Sequence, residues 1–374
     1  MIASRTLRVV VSGMVAAVPG HGGATWAVLQ YLLGLRRLGH DVHFVECVPA
    51  GPTPAAWCET VMDAVGLTGG WTLIDADGAT TGASRETLAA FCRTADVLLD
   101  LSGKAASIAE AMTVPVRVYV DLDPGFTQIW HEQGCDVGIA GHTHYASVGT
   151  AVGTAASMVP DLGLRWIPTL PPVVLDHWPA QAQAARGAFT TVGNWRSYGP
   201  VHVDGVMLGQ RAHSMRALLD LPMLTGESFA VALAIGAGDS ADADALRRHG
   251  WNLVEPGLAA GTPEHYQHFI GGSKAEIGVA KHAYVAAGTG WFSDRSACYL
   301  ATGRPVVTQD TGLAGLVPTD RGMLTFNDLD GARDAVLRVG RDADTHARGA
   351  RDIAEEHLDS DRVLTRLLSE VGAA

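Results

Sequence analysis

Strand-like and helix-like segments alternate along this chain so regularly that few folds remain open to it. Leu7 to Met14 is a β-branched run, and Ala24 to Leu38 has helical spacing, with Trp26, Leu29, Leu32, Leu33 and Leu35 on one broad apolar face. Gly39 ends that helix, and Asp41–Glu46 reads as the next strand. Helix Pro54–Val65, strand Trp71–Ile74, helix Ser84–Thr94, strand Val97–Leu101, helix Ala105–Met112 and strand Arg117–Asp121 continue the series. This is the βα rhythm of a parallel, doubly wound sheet.

Pro168, Pro171, Pro172 and Pro179 then crowd into a stretch that marks a linker. After it the rhythm restarts with strand Phe189–Gly193, helix Gln210–Leu219, strand Phe229–Ile235, helix Ala241–His249 and strand Asn252–Val254. Helix Pro263–Ile270 and strand Ala283–Ala286 follow, and helices close the chain near Asp328–Val339, Asp342–His357 and Asp361–Val371. At 374 residues the chain is long for one domain, so two α/β halves joined by a proline-rich hinge are expected. Clefts between such halves are common ligand sites.

Composition narrows the partners. Apolar residues make up 47 % and charged ones 18 %, enough for a large core. A net charge of −12 argues against nucleic acid, whose phosphates need a basic face. It leaves room for a nucleotide, which needs only one positive pocket. The polar start before the first strand lacks the features of a signal peptide, and no window approaches 18 uncharged apolar residues. Five scattered cysteines without CxxC spacing suit reduced thiols in a cytoplasmic protein.

The stretch Gly290–Gly312 carries the most chemistry. It reads as a glycine-rich loop with Trp291 and Phe292 at its end, a helix from about Ser293 to Thr302, a stop at Gly303, a strand Pro305–Thr308 and a polar turn. A helix start with free N–H groups, an N-capping Ser293, and Asp294 and Arg295 beside it suits a phosphate. The turn Gln309-Asp310-Thr311-Gly312 lies at the carboxyl end of the next strand, where open α/β sheets bind ligands. An ordinary αβ unit with a capped helix would read the same.

Five further segments stand out. The turn Gly13–Gly23 leads into the first helix; Gly22 and Gly23 allow close backbone approach, and His21 at its tip suits a general base or a plain exposed histidine. The turn lacks G-x-G-x-x-G spacing, which argues against NAD. Asp121 and Asp123 leave a strand on one side and suit a histidine-orienting, sugar-binding or basic role; Asp123 also suits a helix cap. His142 and His144, two apart, resemble half a metal site without a third ligand, so lining of the acceptor side is the better reading. In Gly193–Gly199, Asn194, Trp195 and Arg196 are donor-side groups or a turn with a packed tryptophan. Lys274 suits a diphosphate contact or a surface pair with Glu276, and Lys281 follows it.

Together these segments resemble the glycosyltransferases with two Rossmann-like domains, known as GT-B. Gly22-Gly23 before an apolar helix, with Leu38–Phe44 after it, looks like their first βαβ unit. Leu300-Ala-Thr-Gly-Arg-Pro-Val-Val-Thr-Gln-Asp-Thr-Gly312 is similar to their donor-domain motif. The resemblance implies an acceptor-binding domain over 1–175, a nucleotide-sugar-binding domain over 186–355, and a final helix, 356–374, crossing back to the first domain. It implies His21 as base, in the place of the histidine of inverting members, oriented by Asp121 or Asp123. It further implies a leaving diphosphate held by Ser293 and Arg295 without a metal ion, and a nucleotide sugar as co-substrate in place of any cofactor. The two glutamates that bracket the donor loop in many retaining members are replaced by Gly290 and Cys298; Asp294 or Asp310 would have to substitute. A homodimer is compatible with this reading. A sugar-nucleotide epimerase or phosphorylase, which needs no separate acceptor or uses phosphate, and a non-catalytic nucleotide-sugar-binding protein, which releases no nucleoside diphosphate, would share the architecture.

Overall fold

The structure is a computed structural model and describes residues 5–49, 52–181 and 186–373. The polar start at residues 1–4 lies outside them. Eight strands form the first sheet: β1 (Arg8–Ser12), β2 (Asp41–Cys47), β3 (Trp71–Ile74), β4 (Thr80–Gly82), β5 (Val97–Leu101), β6 (Val116–Asp121), β7 (His144–Ser147) and β8 (Trp166–Pro168). Their order is β4-β3-β2-β1-β5-β6-β7-β8, with only β4 antiparallel. After the linker come β9 (Ala188–Asn194), a hairpin of β10 (Val201–Val203) and β11 (Val206–Leu208), β12 (Ser228–Ala234), β13 (Trp251–Leu253), β14 (Ala275–Gly278), β15 (Val306–Gln309) and β16 (Met323–Phe326). The second sheet runs β13-β12-β9-β14-β15-β16 and is wholly parallel.

Central strands such as Val9–Val11 and Val97–Leu99 are buried on both faces because helices cover both sides of each sheet. The strand order reverses between β1 and β5 in the first sheet and between β9 and β14 in the second. These are the crevices where open α/β sheets take ligands, and here they face one another.

The last helix, Ser360–Glu370, returns to the first domain. It lies so close to the helix Gly22–Arg37 that a Cβ on Gly34 would meet Leu364 Cδ1 at 2.6 Å. The linker is pinned to the returning chain: Val173 N–H donates to Leu358 O and Ser360 N–H to Val173 O. Among the described residues no helix is long and apolar enough to cross a membrane.

Two segments differ from their sequence patterns. Ala105–Met112 has helical spacing, yet only Ala111–Thr113 forms a short 3-10 turn. The left-handed Ser102–Gly103 turn and Pro115 confine it too tightly for a stable helix. The apolar run at Ala283–Ala286 reads as a strand but is the end of a helix, His282–Ala286. Its place in the sheet is already filled by β14, whose Glu276 and Gly278 ladder between β9 and β15.

Candidate active site

A cavity of about 950 Å³ lies between the two domains, at the upper end of the size of small-molecule pockets. Its wall follows the carboxyl ends of the strands at both crevices: Met14 after β1, Leu101–Lys104 after β5, Asp123 after β6, Tyr198 after β9, and Lys281 and Tyr284 after β14. Ala24, Ala27, Val28 and Tyr31 contribute one face of the first helix, and Trp291, Phe292 and Asp294 contribute the donor-side loop.

The strongest polar cluster is one that spacing alone did not reveal. Asp123, from the first domain, accepts from Lys281 Nζ at 2.9 Å to both oxygens. The hydroxyls of Tyr198 and Tyr284 also donate to it. The Lys281 ammonium lies 4.5 Å from the Tyr198 ring centre, 5.0 Å from Phe126 and 5.2 Å from Tyr284. Burial pulls the Lys281 pKa down, opposed by Asp123. Asp121 plays a different part. It is fully buried and accepts from Thr127 Oγ1, Gln128 Nε2, Ser147 Oγ and the Asp123 amide, so it shapes the turn that presents Asp123. The expected pair of cleft-facing carboxylates is thus a single one, because β6 ends at Asp121 and the alternation ends with it.

The glycine turn after β1 is closed from inside the protein. The Glu46 carboxylate, 1 % exposed, accepts from the backbone N–H groups of Val15, Ala16 and Ala17 at 2.8–3.0 Å. Burial pushes its pKa up, and those three donors act in the opposite sense. Gly22 is glycine because a Cβ there would lie 2.1 Å from the Thr262 carbonyl oxygen of the second domain; at Gly23 it would touch the Tyr266 ring at 3.0 Å. The close approach expected of a donor is made by the other domain. His21 is exposed, with Nδ1 against the Pro19 carbonyl, one turn before the cavity-lining Ala24. Among the described residues no carboxylate pairs with it, and Asp121 and Asp123 are engaged elsewhere.

Both acceptor-side histidines are corrected. His142 has a fully buried side chain, with Nε2 3.0 Å from Asp100 Oδ2 and Nδ1 against the Ile139 carbonyl. His144 starts β7, at the amino end of the strand and so at the end of the sheet away from the cavity. Among the described residues no three His, Cys, Asp or Glu side chains group as a metal site.

On the donor side the expectations divide. Trp291, Phe292 and Asp294 line the cavity, where the Asp294 side chain is exposed, and desolvation raises its pKa. Ser293 caps nothing, and its buried Oγ has no partner. Arg295 is buried behind the wall, where Nε donates to Glu276 at 2.5 Å and Nη1 to the Val192 carbonyl. Asp310 accepts from the Gly312 and Leu313 amides, and Thr311 Oγ1 donates to the Trp291 carbonyl, so this turn braces the Trp291 loop. Cys298, in the place of a missing glutamate, is buried and receives Gln30 Nε2 at 3.7 Å.

Asn194 is exposed at the end of β9, while Trp195 is a core residue whose indole donates to Asp242. Lys274 precedes β14, at the end of the sheet opposite the cavity, and pairs with Glu227 at 2.6 Å. Its expected diphosphate contact is therefore excluded by the strand's direction, and Lys281 stands at the ligand end instead. Arg211 also escaped the sequence reading, because the inserted hairpin hides its place. It is buried, donates to the Val279 and Asn194 carbonyls, and has no carboxylate within 4 Å among the described residues. Burial, then the charge of Arg295, lower its pKa to about 10. A Cβ on Gly193 would sit 2.1 Å from Arg211 Nη1, so a side chain there would displace the guanidinium.

No family model and no curated protein sequence matches this chain. Solved structures do. AviGT4, a glycosyltransferase involved in avilamycin A biosynthesis, is 17 % identical with a TM-score of 0.60, over 98 % of this chain and 97 % of that one. HepE from Anabaena, in complex with UDP-glucose, is 10 % identical with a TM-score of 0.63, over 98 % and 100 %. Sucrose-phosphate synthase from Thermosynechococcus elongatus is 12 % identical with a TM-score of 0.53, over 99 % and 100 %. The likeness runs through both domains and the returning helix, and it shows that this chain has the GT-B fold of those enzymes.

Proposed function

We propose that the protein is a glycosyltransferase that moves a sugar from a nucleotide-diphosphate sugar to a small-molecule acceptor, with no metal ion. The carrying observation is the charge at the carboxyl ends of β9 and β14. There Arg295 lowers the pKa of Arg211 and Arg211 that of Lys281, with Glu276, Asp123 and Asp294 as the carboxylates beside them. Lys281 and Arg211 are the cations a diphosphate would draw on. Arg211 and Arg295 would act on it by their field from behind the wall, and Lys281 by contact, exchanging Asp123 for a phosphate oxygen.

The nucleotide sugar is a co-substrate, and no cofactor enters. His21, at the start of the cavity-lining helix, takes the acceptor proton. The solved relatives in fold support this reading, one holding UDP-glucose and one acting in the biosynthesis of a small molecule. All five cysteines are free, which suits a bacterial cytoplasm. A panel of nucleotide sugars in a thermal-shift assay tests the donor. Lys281→Ala should abolish the shift and Lys274→Ala should preserve it; His21→Ala should keep the shift and lose transfer. A panel without any shift overturns the assignment.

A further inference from the structure

Tyr31 lies on the third turn of the helix Gly22–Arg37 and is 2 % exposed, yet its hydroxyl has no hydrogen-bond partner. Buried phenols usually find one. The side chain lines the cavity, as does Asp294 from the second domain. The Asp294 carboxylate takes no side-chain donor among the described residues; backbone N–H groups at the start of its own helix are its partners. Burial and then the Asp294 charge push the Tyr31 phenol above its ordinary range. Their neighbour Gln30 is fully used, accepting from Val174 N–H at 2.7 Å and donating to Cys298. Around them the wall is apolar or aromatic: Phe292, Trp291, Pro171 and Pro172.

We infer that Tyr31 and Asp294, one from each domain, grip a single hydroxyl of a neutral sugar ring lying on Trp291 and Phe292. The phenol donates to the ligand oxygen, and that hydroxyl donates to the carboxylate, so the buried phenol gains the partner it lacks and the carboxylate a donor beside its backbone N–H groups. The Asp294 charge selects against an anionic ring such as a uronate. The gap joins residues of both domains, so the grip forms only when they are docked. The inference deepens the glycosyltransferase reading and rests on it for the identity of the ring, which belongs to the donor or to a glycosylated acceptor.

The test uses the full chain and isothermal titration with UDP, dTDP-glucose, UDP-glucose and methyl glucoside, each sugar beside its monodeoxy analogues. Wild type should prefer the hydroxylated form at one ring position by about 10- to 100-fold, the range of a neutral to charged hydrogen bond. Tyr31→Phe and Asp294→Asn should each erase that preference. Tyr31→Phe should melt at or above the wild-type temperature, since it removes an unpaired buried hydroxyl; a structural role would lower it. Loss of preference with nucleotide sugars assigns the ring to the donor, and with methyl glucoside alone keeps the grip while overturning the donor reading. Binding of UDP with preference unchanged in both variants overturns the grip and spares the donor reading. Failure of every probe to bind overturns both.

Discussion

Removing the carboxylate that joins the domains should be costlier than removing its cation. In Asp123→Asn, Lys281 is left as a cation with a 15 % exposed side chain and no counter-charge, ringed by Phe126, Tyr198 and Tyr284. Breaking a fully buried pair in this way costs roughly 3–5 kcal/mol. Asp123 is 27 % exposed, and water relieves part of that, so about 2 kcal/mol is expected. Lys281→Met leaves a carboxylate that keeps two tyrosine donors and some water, at a cost of about 1 kcal/mol. The double variant buries no unpaired charge and should cost about 1.5 kcal/mol, which makes the coupling about 1.5 kcal/mol. Urea unfolding measures all four corners, with the slope checked for constancy. Because the pair bridges two domains, a variant can also escape by opening, which small-angle scattering would register as a larger radius of gyration. Coupling below about 0.5 kcal/mol at unchanged radius would refute the reasoning.

Gly22→Ala should force the domains apart, because the new Cβ would meet the Thr262 carbonyl oxygen; the expected result is a larger radius of gyration and loss of transfer with cooperative folding retained. Glu46→Gln weakens three charge-assisted bonds to the turn after β1 and should cost about 2 kcal/mol, seen as faster amide exchange at Val15–Ala17. His43 is buried against Thr72, and desolvation lowers its pKa from 6.5 to about 4. The unfolded state therefore binds the proton first as pH falls from 6.5 to 4, and stability declines across that window. Between pH 7 and pH 5 this single group should remove about 2 kcal/mol that His43→Gln does not lose, measured by urea unfolding at both pH values.

The architecture was largely legible because parallel strands buried on both faces leave long apolar runs, as at Phe229–Ala234, between amphipathic helices. The direction of each strand also decided what could reach the cavity. It places Lys281 at the ligand end of β14 and Lys274 at the far end, a distinction that seven residues of sequence separation contain but charge patterning ignores. What stayed hidden depends on contacts distant in sequence. Asp123 finds Lys281 158 positions away, and Gln30 finds Cys298 268 away, so no local spacing announces either pair. Polar motifs were read as reaching for a ligand where the protein itself supplies the partner, as Glu46 does for the first turn and Asp100 for His142.

The glycines at the two turns share a single physical role. Gly22 lacks a Cβ so that the Thr262 backbone can close on it, and Gly290 lacks one so that Thr150 can, with Thr150 N–H donating to the Gly290 carbonyl. At these two points the domains dock through close backbone approach, while the cavity between them is walled by side chains that make the chemistry. The two kinds of substitution should separate in the kinetics. A variant that opens the docked state lowers the competent fraction, and every ligand weakens by that same factor, about tenfold if one molecule in ten stays docked. Its discrimination among sugars is then unchanged. Tyr31→Phe should do the reverse, leaving the docked fraction alone and levelling the preference between sugars. A glycine variant that altered sugar preference would place Gly22 or Gly290 in contact with the ligand, and the division between docking and recognition would fail.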